Sequence, residues 1–115
     1  MDEIAYERGL ELFNRGEFFD AHEVLEDVWR AAPPAEKKFL QGLIQVAVGL
    51  HHHSRGNVVG ARSLLTRAQR NLSAYPARHG GIDLAGLRAQ VERWVGALEN
   101  EDSAPALPRI DQHRG

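Results

Sequence analysis

Apolar residues along this chain recur at three- and four-residue spacing, and the Gly and Pro clusters fall between the periodic segments. No run alternates in the manner of a strand, so the pattern predicts an all-α protein. The first helix covers about 2–15, with Tyr6, Leu10 and Phe13 on one face, and stops at Gly16, suited to a left-handed C-terminal cap. A second covers about 17–31, with Phe18, Ala21, Leu25 and Val28 inward. Pro33-Pro34 closes it and presets the next helix, where Glu36 complements the positive end of the dipole. That third helix runs to about His53, and Phe39, Leu40, Leu43, Ile44, Val46, Ala47, Val48 and Leu50 cover nearly its whole circumference. It is the expected central, buried helix. A fourth is expected over about 58–75, capped by Asn57 and ended by Pro76. The fifth covers about 84–99, capped by Asp83, with Leu84, Leu87, Val91, Trp94 and Leu98 inward.

Residues 1–99 thus read as one helical domain, a compact five-helix bundle. From Asn100 the periodicity is lost and two prolines enter, so 100–115 is expected to be a disordered tail or one laid extended on the bundle through Leu107 and Ile110. The chain also repeats weakly at a spacing of 40 residues: Gly9-Leu10 with Gly49-Leu50, Arg15-Gly16 with Arg55-Gly56, Ala21 with Ala61, Leu25 with Leu65. Gly9, Ala21, Leu25 and Pro33 follow the small-residue spacing of a tetratricopeptide unit, while its diagnostic Trp and Tyr positions hold Ala5 and Leu12. The expected arrangement is a tetratricopeptide-like pair of stacked helix hairpins closed by the fifth helix.

Composition narrows the function classes. With 115 residues there is room for one core and none for a separate cofactor domain. The absence of cysteine excludes disulfides, thiolate chemistry and sulfur-ligated metals. No basic leader precedes an apolar run, and Gly42–Leu50 is far shorter than the ~20 residues that span a bilayer, so a soluble cytoplasmic protein is expected, with no membrane partner. Formal net charge is -2, yet residues 1–27 hold nine acids and two arginines while 55–93 hold seven arginines and two acids. Arg55, Arg62, Arg67 and Arg70 form the candidate basic patch. Arg55 and Arg62 fall close on the helical wheel and Arg67 points elsewhere, so no single phosphate-tracking stripe results, and nucleic acid is disfavoured. The acidic half is expected to pair with the basic half, within the fold or across a homodimer.

The candidate chemistry lies on two polar strips. On the second helix His22, Glu26 and Trp29 share one face, with Glu23 adjacent; on the third, Gln41, Gln45, Val48 and His52 follow the same spacing. Packing of the two helices could bring His22 and Glu26 against Gln45 and His52. Such a cluster is either a buried hydrogen-bond network, a divalent metal site built from His22, Glu26 and His52, or an acid/base pair. His-Glu-x-x-Glu lacks the second histidine of the zinc-protease motif, and no nucleophile, phosphate loop or oxyanion motif accompanies it. His51-His52-His53 also has a plain reading as a solvated helix end favoured by the dipole. Trp29 and Trp94 fit the apolar pattern of their helices, whereas only one of Phe18-Phe19 can point fully inward, leaving Phe19 to cover the His22 strip or make an exposed contact.

Gly16-Glu17-Phe18-Phe19-Asp20-Ala21-His22-Glu23-Val24-Leu25-Glu26 with Trp29, and Phe39-Leu40-Gln41-Gly42-Leu43-Ile44-Gln45-Val46-Ala47 with His51-His52, resemble the domain of unknown function 309 family of small bacterial, archaeal and plastid-related proteins. The resemblance covers about residues 4–98. It implies an all-α fold with a central helix, implies no reaction, and places the family signature on His22, Glu23, Glu26, Trp29, Gln41, Gln45 and His52. The expected function is a non-catalytic interaction or ligand-binding module that associates with itself or with a protein partner; the alternative is a metal-dependent or acid/base enzyme using His22, Glu26 and His52.

Overall fold

Five α-helices form where the apolar spacing places them: α1 (Glu3–Asn14), α2 (Phe18–Ala31), α3 (Lys37–Ser54), α4 (Val58–Leu72) and α5 (Leu84–Glu99), in a computed structural model that describes residues 1–113. The expected caps close their ends, with the Asn57 and Asp83 side chains accepting from the backbone N–H of Gly60 and Gly86. After Pro33, residues Pro34–Glu36 make one 3-10 turn that leads into α3. Lys37 Nζ donates to the carbonyls of Trp29 and Arg30 at the end of α2. Helix α4 stops at Leu72 rather than near residue 75. Pro76 disfavours helical geometry at Tyr75, and Arg88 Nη1 donates to the carbonyls of Leu72 and Tyr75 at 3.4 and 3.0 Å.

One element lies outside the expectation. Residues 78–83 form an antiparallel ribbon of β1 (Arg78–His79) and β2 (Ile82–Asp83), joined by Gly80-Gly81, both at positive φ as a tight hairpin turn requires. The tail takes the second of its two expected forms, extended along the bundle through residue 113, with its backbone held by side chains of α1 and α5. Asn14 exchanges two hydrogen bonds with the backbone of Ile110, both at 2.8 Å. Gln90 exchanges another two with Arg109, and Trp94 Nε1 donates to the carbonyl of Ala106 at 3.0 Å. Beyond these, Gln112 bridges Ile82 in strand fashion. Ile110 is buried as expected, but Leu107 is 58% exposed and does not anchor the tail.

Each helix packs on its neighbours in sequence, α1 on α2, α2 on α3, α3 on α4 and α4 on α5. Helix α3 lies between α2 and α4, and between Phe39 and His53 only Gln41 is exposed. The repeat is real in three dimensions. At the first hairpin turn Gly16 N–H bonds to the Phe13 carbonyl and Glu17 N–H to that of Leu12; at the second, Gly56 bonds to His53 and Asn57 to His52. Both turns are Schellman caps, with φ of 79° at Gly16 and 80° at Gly56. The close helix approach also repeats, because Gly9 faces Leu25 and Gly49 faces Leu65.

Tyr6 ties α1 to the ribbon by donating from its hydroxyl to the Gly80 carbonyl at 2.7 Å. Burial, assisted by the negative charges of Glu3 and Glu36, pushes the Tyr6 hydroxyl above its usual pKa of about 10. As pH rises past that ordinary value the unfolded chain releases this proton while the folded chain keeps it, so stability falls. In thermal melts from about pH 8 to about pH 11, wild type should lose its advantage over Tyr6→Phe as the pH passes 10. A constant difference across the range would contradict this role.

Candidate functional site

The His22 strip lies on the outward side of α2, because Ala21, Leu25 and Val28 take the inward side. His22 Nδ1 lies 2.6 Å from the Phe19 carbonyl, which makes that nitrogen the donor and turns Nε2 toward Glu26 Oε2 at 3.6 Å. Arg30 continues the strip one turn on, donating to Glu26 at 3.2 Å and Asp27 at 2.5 Å. The Phe19 ring, 49% exposed, lies edge-on 4.9 Å from that of His22. With Glu23 these side chains line a groove of about 320 Å³. A larger depression of about 570 Å³ between α1, the ribbon and the tail contains none of the candidate polar-site or basic-patch residues.

The buried cluster expected between α2 and α3 does not form. His22, Glu26, Gln45, Trp29 and His52 are partly exposed, Glu23 and Gln41 are exposed, and the buried core among the described residues contains no charged or amide side chain. Gln45 accepts from Asn71 of α4 at 2.8 Å instead of meeting Glu26. Gly42 and Gly49 of α3 face Leu72 and Leu65 of α4, and Gln45 lies on the same arc of the helix. The residue of α3 that reaches the α2 strip is His51, with its ring 5.3 Å from Phe19. His52 pairs with Asn57 at 3.4 Å and His53 lies edge-on to Trp94 at 4.9 Å. Of the three consecutive histidines, His51 thus meets α2 and His53 meets α5, while the contact of His52 is the exposed one with Asn57.

This geometry separates the proposed metal trio, since His22 meets Glu26 and His52 does not. Among the described residues no three His, Asp or Glu side chains gather where they could hold one ion. A second His–Glu pair went unforeseen: His79 Nε2 and Glu36 Oε2 are 2.7 Å apart, the imidazole lying against Phe39 and Tyr75. The partners are 43 residues apart, so no periodicity could have revealed them. Trp29 is partly buried, with Lys37 Nζ 4.5 Å from its ring centre and its indole N–H enclosed without a partner among the described residues.

The basic residues also regroup. Arg62, Arg67 and Arg70 line one groove of about 290 Å³ on α4 with Val59, Ser63, Thr66 and Glu99, so Arg67 belongs with the others. On the wheel Arg70 falls between Arg62 and Arg67 and closes the arc. Arg55 stands apart at the C-terminal cap of α3. No helix among the described residues is long and apolar enough to cross a membrane.

The model of the domain of unknown function DUF309 matches residues 6–64, from α1 into α4, and takes in the whole α2 groove. An uncharacterized protein of Aquifex aeolicus (strain VF5) is 35% identical over 88 residues, which are 76% of this chain and 26% of that protein. The uncharacterized protein YpuF of Bacillus subtilis (strain 168) is 39% identical over 72 residues, 62% of this chain and 40% of that protein. The chain thus spans well under half the length of either relative. With both hairpins' turns inside the matched span, it belongs to the domain of unknown function 309 family.

Proposed function

We propose that the chain is a non-catalytic, cytoplasmic protein-interaction module whose working surface is the outward face of α2. The observation that carries this reading is Phe19, a half-exposed aromatic ring at a groove rimmed by His22, Glu23, Glu26, Asp27 and Arg30. An exposed aromatic within a charged rim has the composition of a protein interface. His22, held by the Phe19 carbonyl, presents a fixed edge there at little further ordering cost.

Photo-crosslinking tests this reading. A benzophenone amino acid placed at Glu23, in the groove, should give discrete polypeptide adducts in living cells, several-fold above the same probe at Ala89, an exposed position of α5. Equal yields from the two positions, or none from Glu23, would overturn it.

A further inference from the structure

The two smaller grooves are copies of one another. Shifting the α2 groove by the 40-residue repeat carries Phe19 onto Val59, His22 onto Arg62, Glu23 onto Ser63, Glu26 onto Thr66, Asp27 onto Arg67 and Arg30 onto Arg70, and these six line the α4 groove. The same hairpin geometry therefore presents the same helix face twice, with opposite charge. On α2 three carboxylates meet one guanidinium; on α4 three guanidinium groups meet one carboxylate, Glu99. Each groove also begins at an exposed apolar residue, Phe19 at 49% and Val59 at 74%.

Among the described residues neither groove is neutralised by the rest of the fold. Arg62, Arg67 and Arg70 take part in no ion pair, nor does Glu23, while Arg30 bridges Glu26 and Asp27. An acidic and a basic face of matching shape on one molecule complement a second copy of that molecule. A polyanion would meet the basic groove alone and be repelled by the acidic one.

We propose that the α2 groove of one copy receives the α4 groove of another, the charged rims pairing around Phe19 and Val59, with the reciprocal contact closing a two-fold dimer. This rests on the reading of the α2 face as an interaction surface and commits that surface to a second copy of the chain.

Sedimentation velocity on a set of charge-reversed chains tests it. Arg67→Glu with Arg70→Glu makes both grooves acidic, and Glu23→Arg with Asp27→Arg makes both basic; all four side chains are exposed. Wild type should form a dimer that weakens as salt is raised. Each reversed chain alone should dimerise about tenfold or more weakly. An equimolar mixture of the two should recover dimerisation, because every groove then faces its opposite. Arg15→Glu with Arg93→Glu, which changes net charge equally outside both grooves, should dimerise as wild type does and should not pair preferentially with the basic chain.

A wild-type chain that stays monomeric overturns the dimer, and so does a dimer indifferent to the reversals, or a mixture no better than its parts. In any of these cases adducts from Glu23 to a different polypeptide would leave the broader reading standing. Their absence would remove both.

Discussion

Replacing Gly80 by alanine should destabilise the protein by about 2–5 kcal/mol, a large part of the 5–15 kcal/mol typical of a domain. Two effects combine. Gly80 has φ of 59°, where an L-residue with a Cβ costs about 1–2 kcal/mol. The new methyl would lie 2.7 Å from the Phe39 ring and 2.8 Å from the Tyr6 hydroxyl, both in a packed core, and such overpacking costs about 1–3 kcal/mol more. Gly81 supplies the control. It has φ of 71° but open space around its Cβ position, so Gly81→Ala should cost only the backbone share. Denaturant midpoints measure both, and equal losses at the two glycines would show that Phe39 and Tyr6 do not confine the turn.

A comparable loss, about 2–5 kcal/mol, is expected for Leu25→Ala, and the same for Leu65→Ala. Both leucines are fully buried, and each fills the space opposite a glycine of the preceding helix. The pairing gives a sharper signature than either loss alone. A Cβ added at Gly9 would overlap Leu25, lying 2.6 Å from its Cδ2, so Gly9→Ala by itself should destabilise, whereas in the Leu25→Ala background the methyl enters the vacated space. The double variant should therefore be better than the sum of the singles by about 0.5–3 kcal/mol. Strict additivity would mean that the two positions do not share that space.

The sequence carried the helices because their signals are local. Spacing placed the inward stripe of α2 on Phe18, Ala21, Leu25 and Val28, and those four are the buried residues of that helix. Repetition of Gly9, Gly16, Ala21 and Leu25 at Gly49, Gly56, Ala61 and Leu65 likewise foretold two equivalent hairpins, down to their caps. The polar cluster failed because wheel spacing gives the arc of a helix that a residue occupies and not the neighbour that arc meets. With α3 lying between two helices, Gln45 went to α4 and His51, one position before the expected His52, went to α2. The shared arc of Arg62 and Arg67 is legible on the wheel only through Arg70, which falls between them. The tail was legible in part, since an extended course anchored by Ile110 was one of its two expected forms. The choice of that form rests partly on carboxamides of Asn14 and Gln90 that hold the tail's backbone groups, contacts that leave no pattern in the tail's own residues.

The ribbon had a signal that was too short to use. Gly80-Gly81 marks a hairpin turn, but its strands hold two residues each, and what stabilises them is Tyr6, 74 residues away, with the tail bridge at Ile82. Several stabilising contacts thus converge on the ribbon and the ends of the bundle, while the outward faces of α2 and α4 contribute little to the core. Charge on both faces, with an exposed aromatic ring on α2, is what the proposed interaction surface rests on.

Photo-crosslinking from Glu23, compared with Ala89, tests the proposed surface, because it reports what touches the α2 face in the cell. Adducts concentrated at Glu23, identified by mass spectrometry as one polypeptide, are the predicted result. Adducts no more frequent at Glu23 than at Ala89 would contradict it.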